Sequence, residues 1–285
     1  MTAKIAYQGE PGSNSHIACC KARPDHEPLS CRTFEDVFAA VRSGHAELAM
    51  LPVENSIAGR VADIHHLLPE SSLRMQAEHF QPIRFHLMAR PGVTLDDVRE
   101  AHSHTMALGQ CRIFLRRHDI LAVTAVDTAG AAREVSESGR HDIAAIAPMM
   151  AAEVYGLNIL AQNIEDHAHN TTRFVVMGKT LLHAERMSAE QDFVTAFLFR
   201  VRNTPAALYK AMGGFATNGV NMTKLESYMV DGSFTATQFY AEVDGHPDDR
   251  NVRLALEELD FFTSQLDIMG VYLAHPYRRS GRHDD

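Results

Sequence analysis

The chain has 285 residues, enough for two ordinary domains, and 45% of them are hydrophobic, a fraction that suits packed cores and argues against disorder. Its formal net charge of −9 at pH 7 argues against nonspecific nucleic-acid binding. No apolar run approaches the roughly 20 residues that cross a bilayer, and the N-terminus lacks the apolar core of a signal peptide. We therefore expect a soluble cytoplasmic protein that binds neither nucleic acid nor membrane.

Cysteine and histidine give no sign of a metal centre. The four cysteines form no CxxC pair, and the 17 histidines are scattered without the i, i+4 spacing of a helical zinc site. Free cysteines are among the most buried residue types, so buried free thiols are the simplest interpretation. We predict no metal site.

Short apolar segments alternate with helical patterns up to about residue 180, which favours an α/β architecture with largely parallel sheets. The predicted strands are Ile5–Gln8, Leu48–Pro52, Ile83–Ala89, Ile120–Val126, Ile143–Ile146 and Phe174–Met177. The predicted helices begin near Ser15, Ser56, Thr105, Thr128 and Pro148. A polar stretch over residues 181–191 is a candidate linker.

A second pattern starts at Asp192 and has the order βαββαβ, which is typical of a compact ferredoxin-like unit. Its predicted strands are Phe193–Val201, Val220–Met229, Phe234–Val243 and Leu266–Ala274, and its helices are Pro205–Thr217 and Asp249–Phe261. Asp231-Gly232 is a strong hairpin signal between the second and third strands. The charged tail from Arg278 onwards is expected to be disordered.

Two predicted strand-to-helix turns carry small polar residues. In the first, Gly12-Ser13-Asn14-Ser15, exposed amides and hydroxyls could attract an anion, although simple helix capping explains the same residues. In the second, Glu54 could accept a proton, and Asn55 and Ser56 could donate hydrogen bonds to a carboxylate or keto oxygen. Two such turns make a ligand cleft plausible.

Two more helix starts and one predicted strand add candidate residues. Ser103 precedes a helix and could donate to a substrate or only cap that helix. Capping is a sufficient role for Asp127-Thr128, although Thr128 could also face the cleft. In Thr172-Arg173-Phe174, the threonine offers a hydroxyl donor and the arginine a planar fork that can grip a carboxylate. From the residues alone, Thr172 would be an ordinary β-branched strand residue.

Taken together, these strings resemble prephenate dehydratase over about residues 4 to 275. The resemblance is carried by Asn170-Thr171-Thr172-Arg173-Phe174, Pro52-Val53-Glu54-Asn55-Ser56, the Gly-rich opening that ends in Ser15, and Gln110-Cys111 after an Ala-Leu pair. Enzymes of this family remove water and carbon dioxide from prephenate to give phenylpyruvate, a step towards phenylalanine. The resemblance implies a two-lobed, periplasmic-binding-protein-like catalytic domain over residues 1–180. One lobe would comprise about residues 1–80 with 163–180, the other residues 81–162, with a cleft between them.

The resemblance also implies roles for individual residues. Catalytic roles fall on Thr172, Arg173, Asn55 and Ser56, and substrate-binding roles on Ser15, Glu54, Asn170, Thr171, Ser103, Gln110 and Phe174. The hydroxyl of Thr172 would donate a proton or a hydrogen bond to the leaving hydroxyl, while Arg173 would either bind substrate or form a structural ion pair. Loss of both groups makes the ring of prephenate aromatic, so the reaction needs no cofactor.

Residues 192–275 resemble the ACT family of amino-acid-binding modules, followed by a tail over residues 276–285. Pro205-Ala206-Ala207-Leu208 is similar to a Gly-Ala-Leu stretch in which Ala206 replaces glycine, and Tyr228-Met229 stands where Arg-Pro usually follows Glu-Ser. The resemblance implies feedback inhibition by L-phenylalanine and a homodimer or homotetramer. The implied effector contacts are Ala206, Ala207, Leu208, Asn221, Glu226 and Ser227. A role in dimerisation alone is the alternative.

Two other functions fit the same motifs. Arogenate dehydratase performs the same elimination on a substrate that has an amino group instead of the keto group, and a carboxylate near the side-chain end of the cleft would favour it. A non-catalytic ligand sensor would keep the capped cleft but would not need Thr172.

Overall fold

The structure is a computed structural model, and it describes residues 2–182, 184, 187–188, 191–202, 204–229 and 236–280. The strands are β1 Lys4–Gln8, β2 Glu27–Cys31, β3 Leu48–Asn55, β4 Gly59–Arg60, β5 Arg74–Pro82, β6 His86–Ala89, β7 Glu100–Ser103, β8 Leu121–Thr124, β9 Ile143–Ala147, β10 Asn158–Ala161, β11 Thr171–Gly178, β12 Phe193–Val201, β13 Met222–Met229, β14 Ala236–Asp244 and β15 Thr263–Leu273. The helices are α1 Asn14–Ala22, α2 Phe34–Ser43, α3 Ala62–Leu67, α4 Thr105–Gln110, α5 Arg112–Arg117, α6 Thr128–Glu137, α7 Met149–Tyr155, α8 Ala207–Thr217, α9 Arg250–Phe262 and α10 Tyr277–Ser280. Among the described residues, no helix combines the length and the apolar character that a membrane crossing requires.

The chain forms two compact units. The first comprises residues 1–64 with 79–174, and the second comprises residues 65–78 with 175–285. Strands β5 and β11 each run from one group of residues into the other. The bounds of these two units differ from the predicted division of the chain at a linker over residues 181–191. The bounds of the catalytic and regulatory domains remain a prediction.

The first unit contains two sheets. In one, β1 pairs in parallel with β2 and β3, so that β1 lies between them. In the other, the order is β10-β6-β9-β7-β8, where β7 pairs in parallel with β8 and β9, while β6 is antiparallel to β9 and β10. The prediction of an α/β fold is confirmed, with antiparallel pairs at one side of the second sheet.

Local sequence explains how the helices of this unit begin and end. Thr33 and Asp36 form a capping box at the start of α2, and Gly44 ends that helix in the left-handed conformation. The buried face of α2 carries Val37, Phe38 and Val41, and it packs on β1. The same pairing of a polar cap with an apolar face starts α6, where the Asp127 side chain accepts from the amide of Gly130.

Two predicted elements of the first unit differ from the structure. The strand predicted over Ile83–Ala89 is shorter, because β5 ends at Pro82, before the predicted range, and β6 begins only at His86. The helix predicted near Ser56 is wrong: β3 continues to Asn55 and the chain turns back as β4. Oδ1 of Asn55 accepts the amides of residues 57 and 58 and closes this turn, so the polar residue ends a strand instead of capping a helix.

The second unit confirms the predicted βαββαβ unit. Strands β12 to β15 form an antiparallel sheet in the order β13-β14-β12-β15, which is the ferredoxin-like order, with α8 following the first strand and α9 the third. Phe197, Phe199 and Phe239 from the sheet pack with Phe215 of α8 and Leu259 of α9 in one core. The predicted Asp231-Gly232 turn lies outside the described residues.

The start of the C-terminal tail is ordered, so the predicted disorder from Arg278 is wrong for residues 278–280, which form part of α10. The Arg278 guanidinium contacts the buried carboxylate of Glu78 at 2.7 Å and that of Glu242 at 2.9 Å. The Tyr240 hydroxyl donates to the Glu242 carboxylate at 2.5 Å. Two buried carboxylates that share one guanidinium hold the tail in place.

Candidate active site

A cleft of about 290 Å³ lies in the first unit, where the N-terminus of α1, the end of β3, helix α4, the N-terminus of α6 and the start of β11 meet. Its volume is close to the lower end of the range found for small-molecule pockets. Its polar lining residues are Gln8, Ser13, Asn14, Ser15, Asn55, His104, Gln110, Asp127, Thr128, Asn170 and Thr172. Its apolar lining residues are Pro52, Ala58, Val61, Ile83, Phe85, Met106, Ala107 and Phe174.

Asn55 is the centre of a hydrogen-bonded network in this cleft. Its Nδ2 donates to Thr172 Oγ1 at 2.9 Å and to Asn170 Oδ1 at 2.7 Å. Its Oδ1 accepts two backbone amides of the turn that follows β3, which fixes the orientation of the amide group. Both ends of the side chain are used, so β3 positions Asn55 against β11 with little freedom.

This network orients the hydroxyl of Thr172. Because Oγ1 accepts from Asn55, the hydroxyl proton points away from that amide. Within the described part of the chain, the structure shows no protein acceptor for that proton, and the half-buried Thr172 lines the cleft. The arrangement offers a hydrogen-bond donor to a ligand oxygen.

Asn170 joins this network to helix α4. Its Nδ2 donates to Oε1 of Gln110, on α4, at 2.5 Å. Four of the predicted site residues, Asn55, Asn170, Thr172 and Gln110, are therefore brought together although up to 117 residues separate them in the sequence. Phe174 also lines the cleft, two residues further along β11.

The Gly-rich opening divides its polar residues between capping and the cleft. Oγ of Ser13 caps α1 by accepting the amide of His16 at 3.3 Å, and Nδ1 of His16 accepts the Gly12 amide at 3.0 Å. Burial lowers the pKa of His16 below its ordinary value, which favours the neutral ring that this bond requires. Ser13 provides the cap and also lines the cleft, together with Asn14 and Ser15.

Three predicted site residues do not line the cleft: Ser56, predicted as catalytic, and Ser103 and Thr171, predicted as substrate contacts. The Ser103 side chain is fully buried and its hydroxyl donates to the Ile146 carbonyl at 2.6 Å, so it ties β7 to β9 and is not directed at a substrate. The Ser56 hydroxyl donates to the His169 carbonyl at 2.8 Å and accepts the Thr171 amide at 3.0 Å. These bonds give Ser56 and Thr171 a role in joining the β3 turn to β11.

Arg173 and Glu54 form an ion pair. Nη1 of Arg173 lies 2.9 Å from Oε1 of Glu54, and the arginine is 3% exposed. Successive strand residues point to opposite faces, so Arg173 points away from the cleft that Thr172 faces. Of the two roles left open for Arg173, this geometry supports the structural ion pair, and neither residue lines the cleft.

The sequence analysis missed two side chains that line the cleft. His104 caps α4 with Nδ1, which accepts the Met106 amide at 3.3 Å, and Asp127 caps α6 by accepting the Gly130 amide at 2.6 Å. Each stands between a strand and a helix, which is the signal that could have identified them. Asp127 is the one carboxylate among the lining residues, all of which lie in the described ranges, and they include neither lysine nor arginine.

The candidate effector residues occupy two elements of the second unit. Ala206, with φ +61°, immediately precedes α8, and Ala207 and Leu208 on that helix pack against the core. Asn221 donates to Asp244 at 2.8 Å before β13. Glu226 is opposite Tyr240, whereas Ser227 is opposite Phe239, so these two neighbours point to opposite faces of the sheet.

No group of three or more histidine, cysteine, aspartate or glutamate side chains suited to hold a metal ion occurs in the described ranges.

Comparisons with known proteins agree on one family. The family model for prephenate dehydratase matches residues 5–181. The "Bifunctional N-acyl-homoserine lactone acylase/prephenate dehydratase" of Komagataeibacter europaeus is 51% identical over 275 residues, covering 96% of this chain and 97% of that protein. The "Arogenate dehydratase/prephenate dehydratase 1, chloroplastic" of Arabidopsis thaliana is 35% identical over 94% of this chain and 71% of its own length.

Two solved structures are similar over nearly the whole chain. The prephenate dehydratase of Arthrobacter aurescens, solved in complex with L-Phe, has a TM-score of 0.85 at 31% identity and covers 95% of this chain and 90% of its own. GqqA, described as a novel type of quorum quenching acylase, has a TM-score of 0.90 at 50% identity and covers 96% and 99%. The chain therefore belongs to the prephenate dehydratase family, whose members act on prephenate or arogenate, and it is a dehydratase.

Proposed function

We propose that this enzyme converts prephenate to phenylpyruvate, with release of carbon dioxide and water. The observation that carries the proposal is the Thr172 hydroxyl, which Asn55 holds at 2.9 Å so that its proton is available to a ligand in the cleft. The relative with 51% identity carries prephenate dehydratase in its name, which supports prephenate as the substrate.

The chemistry follows from the substrate. The bond between the ring carbon and the carboxylate breaks, and its electron pair shifts through the ring and expels the hydroxyl, which takes up one proton and leaves as water. A hydrogen bond from Thr172 stabilises the charge that develops on the leaving oxygen. A threonine hydroxyl is a weak acid, so the proton itself arrives through a water relay or a second group.

The ring carboxylate must lose its charge as carbon dioxide, so a strong cation beside it would hold it in place. The absence of lysine and arginine from the residues that line the cleft agrees with this requirement. The closed network of Asn55, Asn170 and Gln110 fixes polar groups in advance and lowers the cost of reorganisation during the reaction.

Arogenate is the second substrate to test. Asp127 lines the cleft, and a carboxylate can pair with the ammonium group that distinguishes arogenate from prephenate. Relatives named for both activities reach 35% identity. One carboxylate oxygen of Asp127 caps α6, which leaves the other oxygen for such a contact. Prephenate remains the first choice because of the name of the relative with 51% identity.

Hydrolysis of N-acyl homoserine lactones is a candidate activity of a different class. It is favoured by the 51% identity to a relative named for that acylase activity as well as for prephenate dehydratase. The apolar lining, including Ile83, Phe85 and Met106, can accommodate an acyl chain, and attack by water on the amide would give a fatty acid and homoserine lactone.

We also propose that L-phenylalanine inhibits the enzyme through the second unit, acting as an ACT-type module in a homodimer or homotetramer. The βαββαβ order of that unit and the L-Phe complex of the Arthrobacter aurescens relative support this proposal. The residues for the effector contact remain Ala206, Ala207, Leu208, Asn221, Glu226 and Ser227.

One set of assays tests these proposals. Purified enzyme is given prephenate, arogenate or an N-acyl homoserine lactone at neutral pH, each with and without L-phenylalanine. We expect phenylpyruvate from prephenate at a higher kcat/KM than phenylalanine from arogenate, and suppression of turnover by L-phenylalanine. Faster turnover of arogenate would make arogenate the substrate in place of prephenate. Release of homoserine lactone as the sole reaction would overturn the proposed function.

A further inference from the structure

The cleft contains few charged side chains for a substrate with two carboxylates. Among its lining residues, all within the described part of the chain, Asp127 carries a negative charge and His104 is the one group that can carry a positive charge. Two cationic side chains of this unit are already paired: Arg173 with Glu54 at 2.9 Å, and Arg133 with Glu10 and Glu137 at 3.8 and 3.4 Å.

The hydrogen bond of His104 determines which nitrogen can reach a ligand. Nδ1 accepts the Met106 amide at 3.3 Å, so in the neutral ring the proton is on Nε2, on the opposite edge of the imidazole. Half-buried His104 thus has an N–H donor that the cap does not use, in a residue that lines the cleft.

We propose that Nε2–H of His104 binds the side-chain carboxylate of the substrate, the one that is retained in the product. The assignment to this carboxylate follows from the chemistry, because a donor held on the ring carboxylate would oppose its loss as carbon dioxide. The proposal rests on the proposed function and adds a binding residue for the carboxylate that the product retains.

Two substitutions separate binding from helix capping. In His104→Asn the side-chain oxygen can replace Nδ1 as the cap, but the distal donor is lost. In His104→Gln the amide nitrogen can reach the position of Nε2, but the cap is weakened. His102→Asn is the matched control, because His102 is on the preceding strand, contacts Glu100 at 3.1 Å and does not line the cleft.

The measurements are KM and kcat for prephenate, and Kd for phenylpyruvate by calorimetry, with thermal unfolding as a check on folding. We expect His104→Asn to raise both KM and the Kd of phenylpyruvate about tenfold, as loss of a hydrogen bond to a charged group would, with an unchanged unfolding temperature. His104→Gln should recover most of the affinity while unfolding at a lower temperature, and His102→Asn should match the wild type.

The reverse order, in which His104→Asn binds normally and His104→Gln does not, would show that the residue only caps α4 and would overturn the proposal. A Kd for phenylpyruvate that is equal in all four proteins, or no binding to the wild type, would also overturn it. The proposed function is tested separately, because it depends on wild-type turnover of prephenate, whereas the inference depends on the ratios of Kd between variants.

Discussion

At the scale of single residues, Ala206 has a left-handed backbone conformation that should lower the stability of the folded protein. Its φ of +61° is disfavoured for a residue with a Cβ atom. In the ACT family, which this segment resembles, glycine stands at this position. We predict that Ala206→Gly stabilises the protein by about 1 kcal/mol. Ala207→Gly, one residue later inside α8, should instead destabilise by about 0.5–1 kcal/mol, as glycine does in helices.

Urea unfolding of both variants checks this prediction. Opposite signs for the two neighbours would confirm that conformation, and not the loss of a methyl group, decides the outcome. Equal destabilisation of both variants would contradict it.

The neutral ring of His16 makes the free energy of unfolding depend on pH. Burial lowers its pKa in the folded state, and burial likewise lowers that of His86, whereas an unfolded histidine titrates near about 6.5. Below that pH the unfolded chain binds protons that the folded chain does not, so this contribution to stability is present above about 6.5 and is lost as pH falls.

We therefore expect the urea midpoint of the wild type to fall between pH 7.5 and pH 5.5, and that of His16→Gln to fall less. The measurement is the midpoint at three pH values in that range. An identical fall in both proteins would show that His16 is not among the groups responsible.

At the scale of elements, the turn before α1 approaches α7 closely at Gly12. A Cβ atom there would lie 2.7 Å from the Ala151 Cα, and φ is +89°. Gly59 has a similar φ of +80°, but its Cβ would meet open space. Gly59→Ala should cost about 1–2 kcal/mol for backbone strain alone, and Gly12→Ala about 1–3 kcal/mol more because backbone must move.

Chemical unfolding of the two alanine variants measures this difference. Equal destabilisation would mean that the contact between the Gly12 turn and α7 is loose.

The sequence analysis predicted α1, α4, α6 and α7 from local signals, but it missed α2 although that helix has a capping box and an apolar face. Other failures lie where distant contacts decide. β2, Glu27–Cys31, was missed because it lacks a run of apolar residues, and it forms by pairing with β1. The polar residues Asn55 and Ser56 suggested a helix cap, but they bond across to residues 169–172 and end a strand. Local patterns cannot distinguish these uses of the same side chains.

At the scale of the whole molecule, the second unit contains a buried cluster of charges. There the Arg278 guanidinium lies between Glu78 and Glu242, whose side chains are 0% and 1% exposed. We predict that Arg278→Ala costs about 3–5 kcal/mol, because it leaves two carboxylates buried beside each other without this cation. Arg279→Ala, at a neighbour that is 65% exposed and paired with Asp192, should cost less than about 1 kcal/mol.

Thermal and urea unfolding of both arginine variants test the contrast. Similar small losses would show that the buried cluster contributes little to stability.

The candidate site could be predicted in part. The resemblance identified Asn55, Asn170, Thr172 and Gln110, which the fold joins in one network. It could not give the direction of each side chain, and for that reason Ser103 was expected at the substrate although its hydroxyl is buried between strands. Orientation depends on the alternation within β7 and β11 and on partners far away in the sequence.

The central claim is that the Thr172 hydroxyl, oriented by Asn55, supports dehydration in this cleft. The most direct measurement is kcat/KM for prephenate in the wild type, Thr172→Ser and Thr172→Ala, with thermal unfolding as a control. We predict that serine, which keeps the hydroxyl, retains measurable turnover and that alanine loses at least about 100-fold while it stays folded, as loss of one oriented donor does. Near-normal turnover in a folded Thr172→Ala enzyme would contradict the account.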